Sequence, residues 1–269
     1  MKDYAAYSFW LETCGDDLAP RPALSGSETV DVAILGAGYS GLWTAYYLLQ
    51  RQPSLKIAIV EKEIAGFGAS GRNGSWCTAH FPTSLGAIAE HYGREQAIAL
   101  YRAMAASVDE VARVAAAEGT NIHFVKGGGM TVARGPQQLP AVRDTYAEFE
   151  SLGLGDRVEL LDKAGADAKV RIAGVVGAIY YKDAANIHPG RLVRGLARAV
   201  ERRGAKIYEQ TEVTDFTTGA APALKTARGD IRAKTIVLCG EAYLARLAKL
   251  HRSLIPVYSL MTLTEPLSA

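Results

Sequence analysis

Three glycines at fixed spacing form the strongest chemical signal in the sequence. The string that contains them comprises Gly36, Ala37, Gly38, Tyr39, Ser40 and Gly41. In such a G-x-G-x-x-G string the first glycine permits a tight turn, the second lets the backbone approach a pyrophosphate, and the third lets a helix pack closely on a sheet. The amide groups and positive dipole end at the helix N-terminus attract phosphate. We therefore expect these residues to bind the pyrophosphate of a dinucleotide.

The residues around the glycine string predict the elements that must position it. Residues 30–35 form an apolar run typical of a strand, residues 39–50 have the pattern of a helix, and residues 57–60 form a second apolar run. A strand, a helix and a second strand in this order indicate a parallel, doubly wound sheet. This context is what a G-x-G-x-x-G string requires, because the string alone arises often by chance.

An acidic residue stands at the end of the second predicted strand. The Glu61 carboxylate is placed to accept hydrogen bonds from the 2′-hydroxyl of an adenosine ribose, and its charge would repel the 2′-phosphate of NADP. The alternative is a solvated carboxylate, since Lys62 and Glu63 show that charge is common here. We favour the ribose role and assign Glu61, with the adjacent Lys62, to the cofactor site.

A glycine-rich loop (residues 66–75) follows, with the sequence GFGASGRNGS. Its backbone amides and hydroxyl groups can bind phosphate or flavin edge atoms, and Arg72 can supply positive charge. A flexible surface loop is the alternative, and an NAD enzyme has no evident need for such a segment. The loop therefore favours FAD over NAD. The loop residues assigned to the cofactor are Gly68, Ala69, Ser70, Gly71, Arg72, Asn73 and Gly74.

Together these motifs resemble the D-amino-acid-oxidase-type FAD-dependent oxidoreductases, in particular their gamma-glutamylputrescine oxidoreductase-like branch. That branch has an N-terminal Tyr-x-x-Trp-x-x-Thr stretch, which Tyr7, Trp10 and Thr13 resemble. It also has a GFGASGRNGG loop, which this sequence matches except at Ser75.

The resemblance implies further site residues and a reaction. A valine whose backbone faces the adenine is placed at Val213, and Cys239 and Gly240 resemble the stretch that returns the chain to the cofactor. The implied reaction oxidises a C–N bond of a small amine or amino-acid-like substrate by hydride transfer to flavin N5, with oxygen or another carrier as electron acceptor. The family continues well past the end of this chain, so we expect the N-terminal portion of a longer protein. A truncated, non-catalytic flavin-binding fragment and an NAD-dependent dehydrogenase remain the alternatives.

We predict an α/β fold, with a Rossmann-like FAD-binding domain of the glutathione-reductase type and part of an α+β substrate domain. The predicted domains are an N-terminal extension (1–28), a discontinuous FAD-binding domain (29–90 and 160–250) and a partial substrate domain (91–159 and 251–269). Within the extension, Pro20, Pro22 and residues 25–27 are interpreted as a linker into the first strand. Helices are also predicted at 94–118, 139–152 and 189–203. Strands are predicted as a pair within 122–133, at 206–208 and, separately, at 235–239. A β-meander is predicted at 213–216, 223–227 and 231–233, with a turn at 228–230.

No catalytic residue is assigned, because amine oxidation by a flavin needs the protein mainly to position the amine and exclude water. Five side chains are candidates for a role in the reaction. We expect His80 to be a polar residue near a turn, His188 a helix cap, Cys77 a buried small side chain, and Tyr258 and Met261 members of a core.

Composition excludes several other functions. The net charge is +2 with scattered positive residues, which argues against nucleic-acid binding. The three cysteines, Cys14, Cys77 and Cys239, and the five histidines are dispersed without metal-ligand spacing, so no metal is expected. The first residues lack the apolar stretch of a signal peptide, and no window reaches the length of a membrane span. We predict a cytoplasmic protein.

Overall fold

The computed structural model describes residues 2–265, which form two compact units. Unit 1 contains the chain up to Gly74, Glu118–Ile122, and the chain from His188 onward, whereas unit 2 contains Ser75–Ala117 and His123–Ile187. The helices are α1 (Phe9–Glu12), α2 (Tyr39–Arg51), α3 (Leu85–Tyr92), α4 (Arg94–Ala117), α5 (Leu139–Ser151), α6 (Lys163–Lys169) and α7 (Pro189–Arg202). The strands are β1 (Glu28–Leu35), β2 (Ile57–Val60), β3 (Trp76–Thr78), β4 (Gly129–Ala133), β5 (Val158–Asp162), β6 (Gly177–Tyr181), β7 (Ala184–Asn186), β8 (Lys206–Tyr208), β9 (Val213–Thr217), β10 (Ala223–Thr226) and β11 (Gly229–Leu238).

Unit 1 is built on one mixed sheet with the order β8-β2-β1-β11-β10-β9. The first four strands run parallel, β10 pairs antiparallel to β11, and β9 pairs antiparallel to β10. All four residues of β2 are buried, as expected for a strand in a parallel sheet whose two faces are covered. The predicted α/β fold, with its βαβ opening and β-meander, is confirmed.

The meander differs from its prediction in two details. The segments predicted as separate strands at 231–233 and 235–239 form the single strand β11, and the hairpin turn lies at 227–228 rather than 228–230. Charged residues interrupt the apolar run that predicts this strand, but their side chains are exposed to solvent. Lys234 pairs with Asp31 of β1 at 2.7 Å. The strand continues because β1 pairs with it from Ile231 to Leu238.

Unit 2 contains a three-stranded antiparallel sheet in the order β4-β6-β5 and a two-stranded pair, β3-β7. Its core joins the long helix α4, through Tyr101 and Ala105, to Phe149 of α5 and Ile179 of β6. The predicted pair of strands within 122–133 is wrong, because only β4 forms there and Val125 makes an isolated bridge with Asn186. Gly128 has a φ of +73° just before β4, a conformation that interrupts an extended chain.

The two ends of the described chain differ in how closely they pack. The N-terminal extension packs against the rest of unit 1, since Tyr4, Leu11 and Leu24 are at most 3% exposed. The expectation that Tyr258 and Met261 pack in a core is wrong, because they are 87% and 42% exposed. Residues 254–265 form no helix or strand that could hold these side chains against the protein.

The compact units and the predicted domains divide the chain at different residues between 75 and 187, and residues 251–265, which were predicted for the substrate domain, belong to unit 1. The assignment of each predicted domain to the cofactor or to the substrate stays a prediction. Within residues 2–265, no helix combines the length and apolar character needed to cross a membrane. The cytoplasmic location also stays a prediction.

Candidate cofactor site

The turn between β1 and α2 has the geometry that only glycine allows. Gly36 has a φ of +103°, and a Cβ atom placed on it would lie 2.5 Å from the Cys239 carbonyl oxygen. A Cβ atom on Gly41 would lie 2.1 Å from the Gly36 carbonyl oxygen and 3.1 Å from Ile34. The first and third glycines therefore have the roles predicted for them: one permits the turn, and the other lets the helix lie against the strand.

The glycine-rich loop reaches the start of α2. The Tyr39 amide, in the first turn of the helix, donates a hydrogen bond to Ser70 Oγ at 2.8 Å. A Cβ atom on Gly38 would lie 2.9 Å from the same oxygen. Gly38 thus leaves room for groups that approach the helix N-terminus, where the first amides of a helix lack partners within the helix.

Glu61 lies directly after β2 and faces the turn. Its Oε2 accepts a hydrogen bond from the Ala37 amide, and its Oε1 accepts one from the Glu63 amide, both at 3.0 Å. Burial raises the pKa of the Glu61 carboxyl above its usual value, although these two amide bonds act in the opposite direction. Both bonds fix the orientation of the carboxylate, and each oxygen keeps a lone pair that can accept from a ribose hydroxyl.

The glycine-rich loop is folded tightly upon itself. A short 3₁₀ helix, Ala69–Gly71, lies at its centre, and Gly71 fits because a Cβ atom there would be 2.2 Å from the Gly66 carbonyl oxygen. The Asn73 side chain donates to the Ala69 and Ser70 carbonyl oxygens at 3.1 Å. The alternative of a flexible surface loop does not describe this segment, whose turns are fixed by its own polar groups.

These elements surround a cavity of about 430 Å³ in unit 1, a volume within the range of small-molecule and cofactor sites. Most of the residues predicted to bind the cofactor line it. They are Gly36, Gly38, Tyr39, Ser40, Glu61, Lys62, Gly68, Ala69, Ser70, Arg72, Val213, Cys239 and Gly240. The sequence motifs that lie up to 204 positions apart thus meet at one place. Their binding roles stay a prediction.

The five remaining predicted residues do not line the cavity. Ala37 is fully buried, and its amide donates to Glu61 while its carbonyl oxygen accepts from the Gly66 amide at 3.0 Å. Gly41 packs under the turn. Gly71 is buried within the loop, and Asn73 braces the loop through its side chain. Gly74 is exposed, and Met261 Sδ lies 3.3 Å from the position of its absent Cβ.

Sequence reasoning missed cavity residues that follow β11. Tyr243 and Arg246 lie in a 3₁₀ helix, Glu241–Arg246, and both line the cavity. The Tyr243 hydroxyl accepts a hydrogen bond from Arg72 Nη2 at 2.7 Å, and the Arg246 guanidinium lies 5.3 Å from the Tyr243 ring centroid. Short 3₁₀ segments lack a periodic pattern, so the only available signal was their position directly after Gly240.

A dinucleotide suits the residues that line this cavity. The helix N-terminus and Arg72 offer positive potential to a pyrophosphate, and Glu61 offers an oriented acceptor to a ribose. Gly36 and Gly38 leave the backbone open where side chains would intrude. Among the described residues, no group of His, Cys, Asp and Glu side chains could hold a metal ion.

The side chains weighed for a catalytic role have other surroundings. His188 caps α7 as predicted, since its Nδ1 accepts from the Arg191 amide at 3.2 Å. His80 is exposed, as expected near a turn, and its ring lies 5.3 Å from that of Tyr181 in unit 2. Cys77 is half-buried in β3, where burial raises the pKa of its thiol and disfavours the reactive thiolate.

Comparison with known proteins gives a family for this arrangement. Residues 31–269 match the family model DAO, described as FAD dependent oxidoreductase. The chain is 29% identical over 237 residues to the gamma-glutamylputrescine oxidoreductase of Escherichia coli K12, covering 88% of this chain and 55% of the relative. It is 26% identical over 273 residues to the probable oxidoreductase OrdL of Haemophilus influenzae, covering 97% of this chain and 61% of the relative. The chain thus spans somewhat more than half the length of these curated relatives.

Solved structures show the same fold. The crystal structure of glycine oxidase from Geobacillus kaustophilus matches with a TM-score of 0.65 and 28% sequence identity, covering 82% of this chain and 58% of the other. L-proline dehydrogenase from P. horikoshii, at 19% identity and a TM-score of 0.68, supports the fold alone and covers 83% of this chain and 56% of the other. Since the family model spans most of the chain, the chain belongs to the DAO family, whose cofactor is FAD.

Proposed function

We propose that this protein binds FAD in the cavity of unit 1 and oxidises a C–N bond of a small amine or amino-acid-like substrate. The observation that carries the proposal is the meeting of the Glu61 carboxylate, the N-terminus of α2 and the glycine-rich loop around one cavity. Membership of an FAD-dependent family supports FAD over the NAD alternative. The names of the relatives, gamma-glutamylputrescine oxidoreductase and glycine oxidase, support an amine or amino acid as the substrate.

Different residues of the chain bind different parts of the cofactor. Glu61 accepts from the ribose hydroxyls, and the amides at the start of α2 bind the pyrophosphate. Ser70 and Arg72 belong to the loop that wraps around the rest of the FAD molecule. The Val213 backbone faces the adenine. Gly240 returns the chain to the cofactor after β11.

When bound, FAD supplies a hydride acceptor at flavin N5. The substrate loses a hydride from the carbon next to its nitrogen and a proton from the nitrogen, and water then hydrolyses the resulting imine. Oxygen or another carrier takes up the electrons. No side chain of the described residues is assigned to proton transfer, since positioning of the amine is the principal requirement for this reaction.

The experiment that tests this proposal is a reduction screen of the purified, FAD-loaded protein. Polyamines, their gamma-glutamyl derivatives and amino acids are added without oxygen, and loss of the visible flavin absorbance is recorded. We expect one of these classes to bleach the flavin, and subsequent addition of oxygen or of an artificial acceptor to identify the electron acceptor. A protein that holds FAD but is reduced by no amine would support the non-catalytic alternative.

A further inference from the structure

An N-terminal arm (residues 2–24) lies against the glycine-rich loop and donates hydrogen bonds to the backbone of the loop. Ser8 Oγ donates a hydrogen bond to the Gly71 carbonyl oxygen at 2.6 Å, and Trp10 Nε1 donates one to the Asn73 carbonyl oxygen at 2.8 Å. The Ser8 oxygen also accepts from the Trp10 amide at 3.1 Å, which caps α1. One short helix of the arm is therefore fixed to two carbonyl groups of the loop.

Apolar side chains of the arm cover the same loop. The rings of Tyr4 and Tyr7 lie edge-on to Phe67, with centroids 5.8 Å and 5.5 Å away. Leu11 is 1% exposed, and its Cδ2 is 3.5 Å from the position that a Cβ atom would take on Gly71. The arm thus contacts the loop through aromatic edges and a fully buried aliphatic side chain as well as through hydrogen bonds.

An ion pair to a buried carboxylate extends this contact to the residue before the loop. Arg21 Nη1 lies 2.9 Å from Glu209 Oε1, and Glu209 is fully buried. The same oxygen accepts a hydrogen bond from the Ala65 amide at 2.8 Å, and Arg194 Nη1 donates to the Ala65 carbonyl oxygen at 3.4 Å. Both polar groups of the Ala65 backbone are held, and Arg21 neutralises the carboxylate that holds one of them.

The loop needs such support because of its composition. It contains four glycines in ten residues, and glycine loses more conformational freedom on ordering than any other residue. A loop that is ordered only when a ligand binds subtracts its ordering cost from the affinity, whereas a loop already held in place does not.

We propose that the N-terminal arm is a clamp that holds the glycine-rich loop in its FAD-binding conformation, with Ser8 and Trp10 as positioning residues. The proposal rests on the proposed binding of FAD in this cavity. In this proposal Trp10, the tryptophan of the Tyr-x-x-Trp-x-x-Thr stretch, positions the loop and needs no contact with the cofactor.

The test compares Ser8→Ala, Ser8→Thr and Trp10→Phe with the wild type in the full chain. Removing one hydrogen bond to the loop should raise the FAD dissociation constant about five- to tenfold, as measured by flavin fluorescence titration. Ser8→Thr keeps the hydroxyl group and should restore binding to near the wild-type value. In the FAD-free protein, hydrogen exchange should become faster at the amides of Gly71 and Arg72 in Ser8→Ala and Trp10→Phe.

Ser84→Ala provides a matched control. Ser84 also caps a helix, α3, by accepting from the Ala87 amide at 3.0 Å, but it lies in unit 2 and makes no bond to the loop. It should lose stability as Ser8→Ala does and leave both FAD affinity and loop exchange unchanged. Unchanged loop exchange or unchanged FAD affinity in Ser8→Ala and Trp10→Phe would overturn the clamp. Failure of the wild type to bind FAD would instead overturn the proposed function, and loop exchange would still decide whether the arm holds the loop.

Discussion

Replacing Glu61 by glutamine removes the negative charge of the side chain and nearly preserves its size. The carboxylate accepts from the Ala37 and Glu63 amides with one oxygen each. Glutamine offers a single oxygen, so one of these amides would lose its acceptor and face an NH₂ group instead. An unsatisfied buried donor costs about 1–3 kcal/mol, and we expect the free energy of unfolding of the FAD-free protein to fall by that amount.

The same substitution removes the charged acceptor proposed for the ribose. A hydrogen bond to a charged group contributes about 1.5–3 kcal/mol, which corresponds to roughly a ten- to hundredfold rise in the FAD dissociation constant. Flavin fluorescence titration measures this change, and urea unfolding of the FAD-free protein measures the loss of stability. Glu110→Gln, which removes the same charge from an exposed pair with Arg113 in unit 2, serves as the control. An FAD affinity of Glu61→Gln within twofold of the wild type would refute the ribose assignment.

Three further predictions concern the same turn. Gly38→Val should prevent FAD binding, because its Cβ would lie 2.9 Å from Ser70 Oγ and its methyl groups would enter the cavity; the flavin content of the purified variant measures this, and a variant that retains flavin would refute the role of Gly38. Gly41→Ala should lower the free energy of unfolding by about 3 kcal/mol, because its Cβ would lie 2.1 Å from the Gly36 carbonyl oxygen; urea denaturation measures the loss, and a change below about 0.5 kcal/mol would show that the turn adjusts freely. Burial raises the pKa of Glu61 above its usual value, so its proton is lost at a higher pH than usual, and FAD affinity should fall as the pH decreases from neutral into the acidic range. Titrations across that range should show this dependence in the wild type and not in Glu61→Gln, and a pH-independent affinity of the wild type would contradict it.

The βαβ opening could be predicted almost to the residue. The helix predicted at 39–50 is α2 (Tyr39–Arg51), and the second predicted strand coincides with β2 (Ile57–Val60). Both follow from local signals, an uninterrupted apolar run and a helical period between glycine-containing turns. The glycine string, Glu61 and the loop, which such local signals identify, line one cavity in the structure, and their binding roles stay a prediction.

The elements that escaped prediction depend on contacts distant in sequence. β3 (Trp76–Thr78) and β7 (Ala184–Asn186) have three residues each, too few for a pattern, and they exist because they pair with each other. Prolines and small residues at 20–27 suggest a linker, but no local pattern indicates that Ser8 and Trp10, farther towards the N-terminus, bond to the loop. Tyr258 illustrates the opposite error, since an apolar residue in an apolar run is exposed where no element covers it.

The most direct test of the account is a calorimetric titration of the protein with FAD, FMN and NAD⁺. If Glu61, the start of α2 and the glycine-rich loop form one dinucleotide site for a flavin, FAD should bind saturably with one molecule per chain. FMN should bind more weakly, because it lacks the adenosine ribose that Glu61 is proposed to hold, and NAD⁺ should bind more weakly because it lacks the flavin. Binding of NAD⁺ as tightly as FAD, or no binding of FAD, would contradict the account.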